Sequence, residues 1–153
     1  MTPPPRPPHQ RRQDTLRRLE GDIDAWVATA GAADGTPYLV PLSFLWDGAT
    51  LLIATPSSSP TARNLRSTGK VRLGIGPTRD LVVIEGTVGE ILPADEVPNE
   101  VGDAFAAKTG FDPRQLTGYS YFRIHPQRLQ AWREANELKD RQLMADGRWR
   151  VGE

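Results

Sequence analysis

Cysteine is absent from the 153 residues, which excludes a disulfide scaffold, a thiolate metal site and a cysteine nucleophile. Histidine is nearly so. His9 sits in a proline-rich stretch and His125 between Ile124 and Pro126, too dispersed for a metal cluster or a Ser-His-Asp arrangement. Net charge is missing too: 19 Lys+Arg face 19 Asp+Glu, so nothing argues for a nucleic-acid partner. No apolar run approaches the roughly 18 residues of a membrane span. The N-terminus also lacks the apolar middle of a signal peptide. The expectation is a cytoplasmic protein without a membrane partner.

What is present is a globular composition, 38% hydrophobic and 25% charged, in a chain long enough for one domain with a real core. The opening "MTPPPRPPHQRRQ" reads as a disordered proline-rich tail over residues 1–13, leaving 14–153 as the folded domain. Asp14 is the expected cap of a first helix, "TLRRLEGD".

Strand patterns follow at short intervals. "AWVATAG" (25–31) and "YLVPLSFLW" (38–46) flank an Asp34-Gly35 turn, and Asp47-Gly48 leads into "TLLIAT" (50–55). Pro41 argues for an edge position or a bulge, because proline cannot donate to a ladder. "KVRLGIG", "DLVVIEGTVGEI", "YSYFRIHP" and "RLQAWRE" complete the set. Six or seven short strands with tight turns and few helices favour an antiparallel barrel or sandwich. There is no glycine fingerprint for a Rossmann arrangement. The acidic segment 94–103 reads as a connection or a lid, with helical character from Asn99 onward.

In "ATPSSSPTARNLRS" (54–67) an apolar strand ends in a hydroxyl cluster that opens a basic helix. Ser59 is a natural N-cap and Pro60 suits the first helical position. The N–H groups of Thr61, Ala62 and Arg63, with the Ser58, Ser59 and Thr61 hydroxyls and the Arg63 charge, can form a phosphate site. Taken alone, the same residues are read first as the cap of a short helix. The spacing supports both readings.

A strand ending in Thr55, a serine loop, a helix carrying Asn64-Leu65, then "KVRL", in that order, resembles the pyridoxamine 5'-phosphate oxidase-like family of flavin-binding split barrels. "GYSYFRIHPQRLQAWREANELKDRQLMADGRWRV" (118–151) is similar to the end of the oxidases. The resemblance implies a mainly β fold, a split barrel of about six antiparallel strands with short helices, assembled as a homodimer with flavin in grooves shared by two subunits. It implies FMN as cofactor, with the deazaflavin coenzyme F420 as the alternative, and a flavin-dependent oxidoreductase acting on a small organic substrate. A non-enzymatic flavin- or ligand-binding protein is the third reading. Thr55, Ser58, Ser59, Thr61, Arg63 and Asn64 fall at or beside the flavin-phosphate positions, and Trp132 and Arg141 at flavin contacts. The family's Ser-Arg-Lys triplet is Ser59-Pro60-Thr61 here, so its two cations are missing, with Arg63 as the partial replacement. Glu137 and Lys139 stand where the oxidases grip pyridoxamine phosphate. A carboxylate there argues against that substrate. Lys139 and Arg79 remain the candidates for facing another one.

Overall fold

The computed structural model describes residues 1–151. Eight strands form one antiparallel sheet, β1 (Asp24–Ala30), β2 (Pro37–Trp46), β3 (Leu51–Pro56), β4 (Lys70–Ile75), β5 (Leu81–Pro93), β6 (Tyr119–Trp132), β7 (Gln142–Ala145) and β8 (Arg148–Trp149). Their order is β3-β2-β1-β4-β5-β6-β7-β8, and β3 also pairs with β6, which closes the first six into a barrel. Closure gives each of those six a partner on both sides along part of its length. The remaining elements are helices α1 (Pro8–Gly21), α2 (Pro60–Thr68) and α3 (Asn99–Thr109).

The interior is filled by the inward residues of each strand, among them Val27, Phe44, Leu51, Ile53, Leu73, Ile75, Ile84, Phe122 and Ile124. Leu19 of α1 and Ala62 and Leu65 of α2 join the same cluster. A second cluster lies outside the barrel wall, where Leu52, Ala54 and Tyr121 pack under Phe105 of α3. β3 is therefore buried on both faces, which is why its sequence is an unbroken apolar run rather than an alternation. The acidic connection is a helical cover with an apolar underside.

Pro41 behaves as its chemistry requires. Residues 37–43 of β2 pair with β1 alone, and pairing with β3 begins only at Phe44, so the missing N–H falls where one side is free. Pro126, in contrast, does not end a strand. "YSYFRIHP" and "RLQAWRE" form the single strand β6, because Gln127 is bulged out between the pairs Glu85–Arg128 and Gly86–Pro126. The Asp146-Gly147 turn, with φ of 53° and 73°, closes a final β7–β8 hairpin.

The expected tail is also corrected. Helix α1 starts at Pro8, with Pro7 as N-cap, and Asp14 lies in its middle rather than at its start. The arm before it is pinned: Arg6 and Arg11 are largely buried against Glu137, 131 and 126 residues away in sequence. Local composition could not show partners so remote.

Candidate functional site

Two groups of candidate residues stand at the two ends of β6. At its start Tyr119 pairs with Pro56, and the loop from Pro56 to Ser59 leads into α2. The Ser59 hydroxyl accepts the Ala62 N–H at 3.1 Å and shares a 3.0 Å hydrogen bond with the Thr55 hydroxyl. Arg63 N–H donates to the Ser59 carbonyl. Two of the three amides expected to face an anion are thus engaged within the helix start, leaving at most that of Thr61. Thr61 itself is buried, and Asn64 turns toward the barrel, donating to the Thr29 hydroxyl at 3.1 Å.

What faces outward is a pair of guanidiniums. Arg63 donates to the Ser58 carbonyl and Arg66 to the Ser57 carbonyl, each at 2.6 Å. Both side chains are exposed, beside the exposed Ser58. The Ser57 hydroxyl is tied to that of Ser120 at 2.7 Å, which anchors the loop to β6. Arg66, Ser57 and Ser120 thus join the residues that the sequence marks at this loop. The signal for Arg66 was available, since it follows Arg63 by one helical turn and so shares its face.

Next to this loop a cavity of about 370 Å³ opens between β2, β3 and α3. Ala54, Pro56, Phe105, Phe111 and Tyr119 supply apolar and aromatic walls, and Pro41, Ser43 and Asp24 the other side. The Ser43 hydroxyl donates to the Asp24 carboxylate at 2.8 Å. Its volume falls within the range of small-molecule sites.

At the far end of β6 stand Trp132 and Arg141. The Arg141 guanidinium lies 5.9 Å from the half-buried Trp132 ring and donates to the Leu138 carbonyl at 2.9 Å. Lys139 is exposed beside them. Arg79 is exposed and fork-bonded to Glu134, both contacts at 3.1 Å. Glu137 does not face a ligand. Its side chain is 2% exposed and accepts Arg6 N–H, Nε and Nη2 at 2.7, 3.0 and 2.8 Å, plus the Arg133 N–H at 2.8 Å. Burial alone would raise its pKa, but the Arg6 and Arg133 hydrogen bonds outweigh it and hold the carboxyl at about 2. The repulsion expected from Glu137 is neutralised inside the protein.

The two groups stand at opposite ends of β6. Tyr119 and Trp132 are the ends of a 14-residue strand, about 40 Å of chain at roughly 3.3 Å per residue. Between them runs an open sheet face. Pairing puts Pro41, Trp26, Gly74, Val83 and Gln130 in one row across five strands, with Leu81 and Trp132 beside it. Trp26 is 54% and Leu39 58% exposed. A shallow trough of about 520 Å³ lies on the same face, where the small side chains of Ala28 and Ala30 leave space among Lys70, Arg72, Glu85 and Arg128. Among the described residues no cluster of metal-ligating side chains occurs, and no helix is long and apolar enough to cross a membrane.

Several solved structures share this architecture. A protein named F420 reductase superposes with a TM-score of 0.63 at 18% identity, over 74% of this chain and 93% of that one. An FAD-binding protein from Mesorhizobium loti gives 0.60 at 19%, over 77% and 89%. HupZ from Group A Streptococcus gives 0.61 at 22%, over 79% and 94%. At such identities the likeness is one of fold. No protein of curated function matches the sequence significantly. The family model described as pyridoxamine 5'-phosphate oxidase matches residues 16–133, more than three quarters of the chain, and the protein therefore belongs to that family.

Proposed function

We propose that this protein is a flavin-dependent oxidoreductase acting on a small organic substrate, with each cofactor site completed by a second copy of the chain. The observation that carries the reading is the pairing of a two-cation serine loop with an aromatic-walled cavity at one end of β6, while Trp132 and Arg141 stand at the other.

The donor chemistry suits a phosphorylated flavin. Arg63 and Arg66 supply two cations on one helix face, which offsets the loss of the Arg-Lys pair at Pro60-Thr61, and Ser58 adds a hydroxyl. Both guanidiniums would exchange a backbone carbonyl for phosphate oxygens. FMN is the first choice. F420 also carries a phosphate, and the likeness to an F420 reductase supports it as the alternative. When bound, such a cofactor supplies the hydride chemistry, and the chain supplies binding, orientation and exclusion of water. Phe105, Phe111, Tyr119 and Pro41 would shield the ring from solvent.

The homodimer is proposed on two grounds. The half-sites stand at opposite ends of the 14-residue strand β6, and a second copy is the proposed means of joining them. The open face carrying Trp26 and Leu39 also borders the cavity, because Pro41 and Ser43 belong to both. A second copy seated on that face would bring its own Trp132 and Arg141 toward the cavity.

Titration of the purified protein with FMN, riboflavin and F420, read by fluorescence, tests the assignment. Saturable binding of FMN or F420 at one per chain, tighter than riboflavin, is expected. Binding of none of the three would overturn it.

A further inference from the structure

The N-terminal arm is clamped onto the backbone that carries Trp132. Arg11 is 3% exposed and donates to the Glu137 carbonyl at 2.8 Å and the Ala131 carbonyl at 3.5 Å. Its Nε donates to the Arg6 carbonyl at 3.1 Å. Arg6 in turn grips the Glu137 carboxylate with its N–H, Nε and Nη2, and gives Nη1 to Asp14 of α1 at 3.0 Å. The Glu137 carboxylate then accepts the N–H of Arg133, the residue after Trp132. On the other side, the N–H of Ala131 donates to the Arg141 carbonyl at 2.9 Å. Both neighbours of Trp132 are therefore held, one through Arg11 and Arg141, the other through Arg6 and Glu137.

Such a clamp is more than a helix requires to pack. It places two buried arginines and a buried glutamate around one short backbone segment, where breaking one partner leaves a charge stranded. The Arg133 side chain joins it, with Nε 3.7 Å from Asp80 and Nη2 3.8 Å from Asp14. The indole of Trp132 is not among the contacts of Arg6 or Arg11, so any effect on it passes through the backbone.

We infer that Arg6, Arg11 and Glu137 are positioning residues: the N-terminal arm fixes the orientation of Trp132 and, through the Ala131–Arg141 bond, of the Arg141 segment that completes the cofactor site. The inference rests on the reading that Trp132 and Arg141 face a flavin, and its first readout does not need the flavin. A protein lacking the clamp keeps its barrel and loses a defined Trp132.

The test uses full-length 15N-labelled wild type, Arg6→Ala and Arg6→Lys, with Trp132→Phe to assign the indole signals. In Arg6→Ala the Trp132 indole cross-peak should shift and broaden while that of the core residue Trp46 stays in place. FMN, the probe ligand, should bind on the order of tenfold more weakly, as when other supporting contacts are lost. Arg6→Lys keeps the charge without the fork and should fall between. If Arg6→Ala does not fold, the same two signals in Arg6→Lys decide. An unmoved Trp132 indole with wild-type FMN affinity overturns the clamp and leaves the cofactor reading intact. A wild type that binds neither FMN nor F420, in which Trp132 still responds to Arg6→Ala, sinks the cofactor reading and supports the clamp.

Discussion

Deleting residues 2–7 removes what composition suggests is dispensable, and the structure says otherwise. The deletion takes away three of the hydrogen bonds that Glu137 accepts, along with the Arg6–Asp14 bond and the Asn136 contact to the Pro3 carbonyl. The fall of the Glu137 pKa from 4.5 to about 2 puts the balance of its hydrogen bonds and charge partners over the cost of burial at roughly 3 kcal/mol, at about 1.36 kcal/mol per pH unit. Arg11 remains 3.9 Å from the carboxylate, and water can enter the vacated space. The expected loss is therefore about 2–3 kcal/mol, or ~4–12 °C in melting temperature for a chain of this size. Thermal unfolding at neutral pH, followed by circular dichroism, measures it. The pH dependence separates this cause from a general loss of packing. Because folding depresses the Glu137 pKa, its contribution is complete above about pH 4.5 and fades as the pH falls through about 2. The gap between wild type and deletion should narrow over that window. A melting temperature within a degree of wild type would refute the reasoning, and a gap that ignores pH would remove Glu137 as its source.

The loop, the cap and the open face each have a test. Arg63→Ala and Arg66→Ala should each weaken FMN binding by about 1.5–3 kcal/mol, the worth of a charged hydrogen bond, and hardly affect riboflavin. Equal losses for both ligands would put the phosphate elsewhere. Ser59→Ala should cost about 0.5–2 kcal/mol of stability through the lost cap on Ala62, measured by guanidinium unfolding; no change would mean the cap is redundant. Trp26→Glu, at a side chain 54% exposed, should leave the barrel folded and give a monomer of 16.9 kDa in light scattering where wild type shows twice that mass. A dimer in both would move the interface off this face.

The barrel was legible because its signals are local. Turn glycines such as Gly35 and Gly48, both with positive φ, punctuate the strands, and Pro41 marked the part of β2 with a free side. The helix cap at Ser59 followed from side-chain chemistry alone. What escaped depends on distant partners. Nothing in "PPPRPPHQRRQ" reads as a helix, and α1 begins at Pro8 through contacts to residues 131–151. Glu137 looked like an exposed repulsive charge because its partner lies 131 residues upstream. Pro126 looked like a strand end because a bulge is set by the register of the opposite strand. Arg63 and Arg66, three residues apart on α2, share a face that helical spacing alone makes legible.

Complementation between two damaged variants tests most directly the proposal that each site is assembled from opposite ends of β6 in two copies of the chain. One variant carries Arg63→Ala with Arg66→Ala, the other Trp132→Ala, and each alone should bind FMN poorly. Mixed, dissociated and reassociated in equal amounts, they form heterodimers in which one of the two sites has both its loop and its tryptophan intact. Two-fold symmetry then predicts about one quarter of the wild-type FMN sites at wild-type affinity. No recovery at all, with heterodimers shown to have formed, would mean that the loop and the tryptophan do not share a site across the interface.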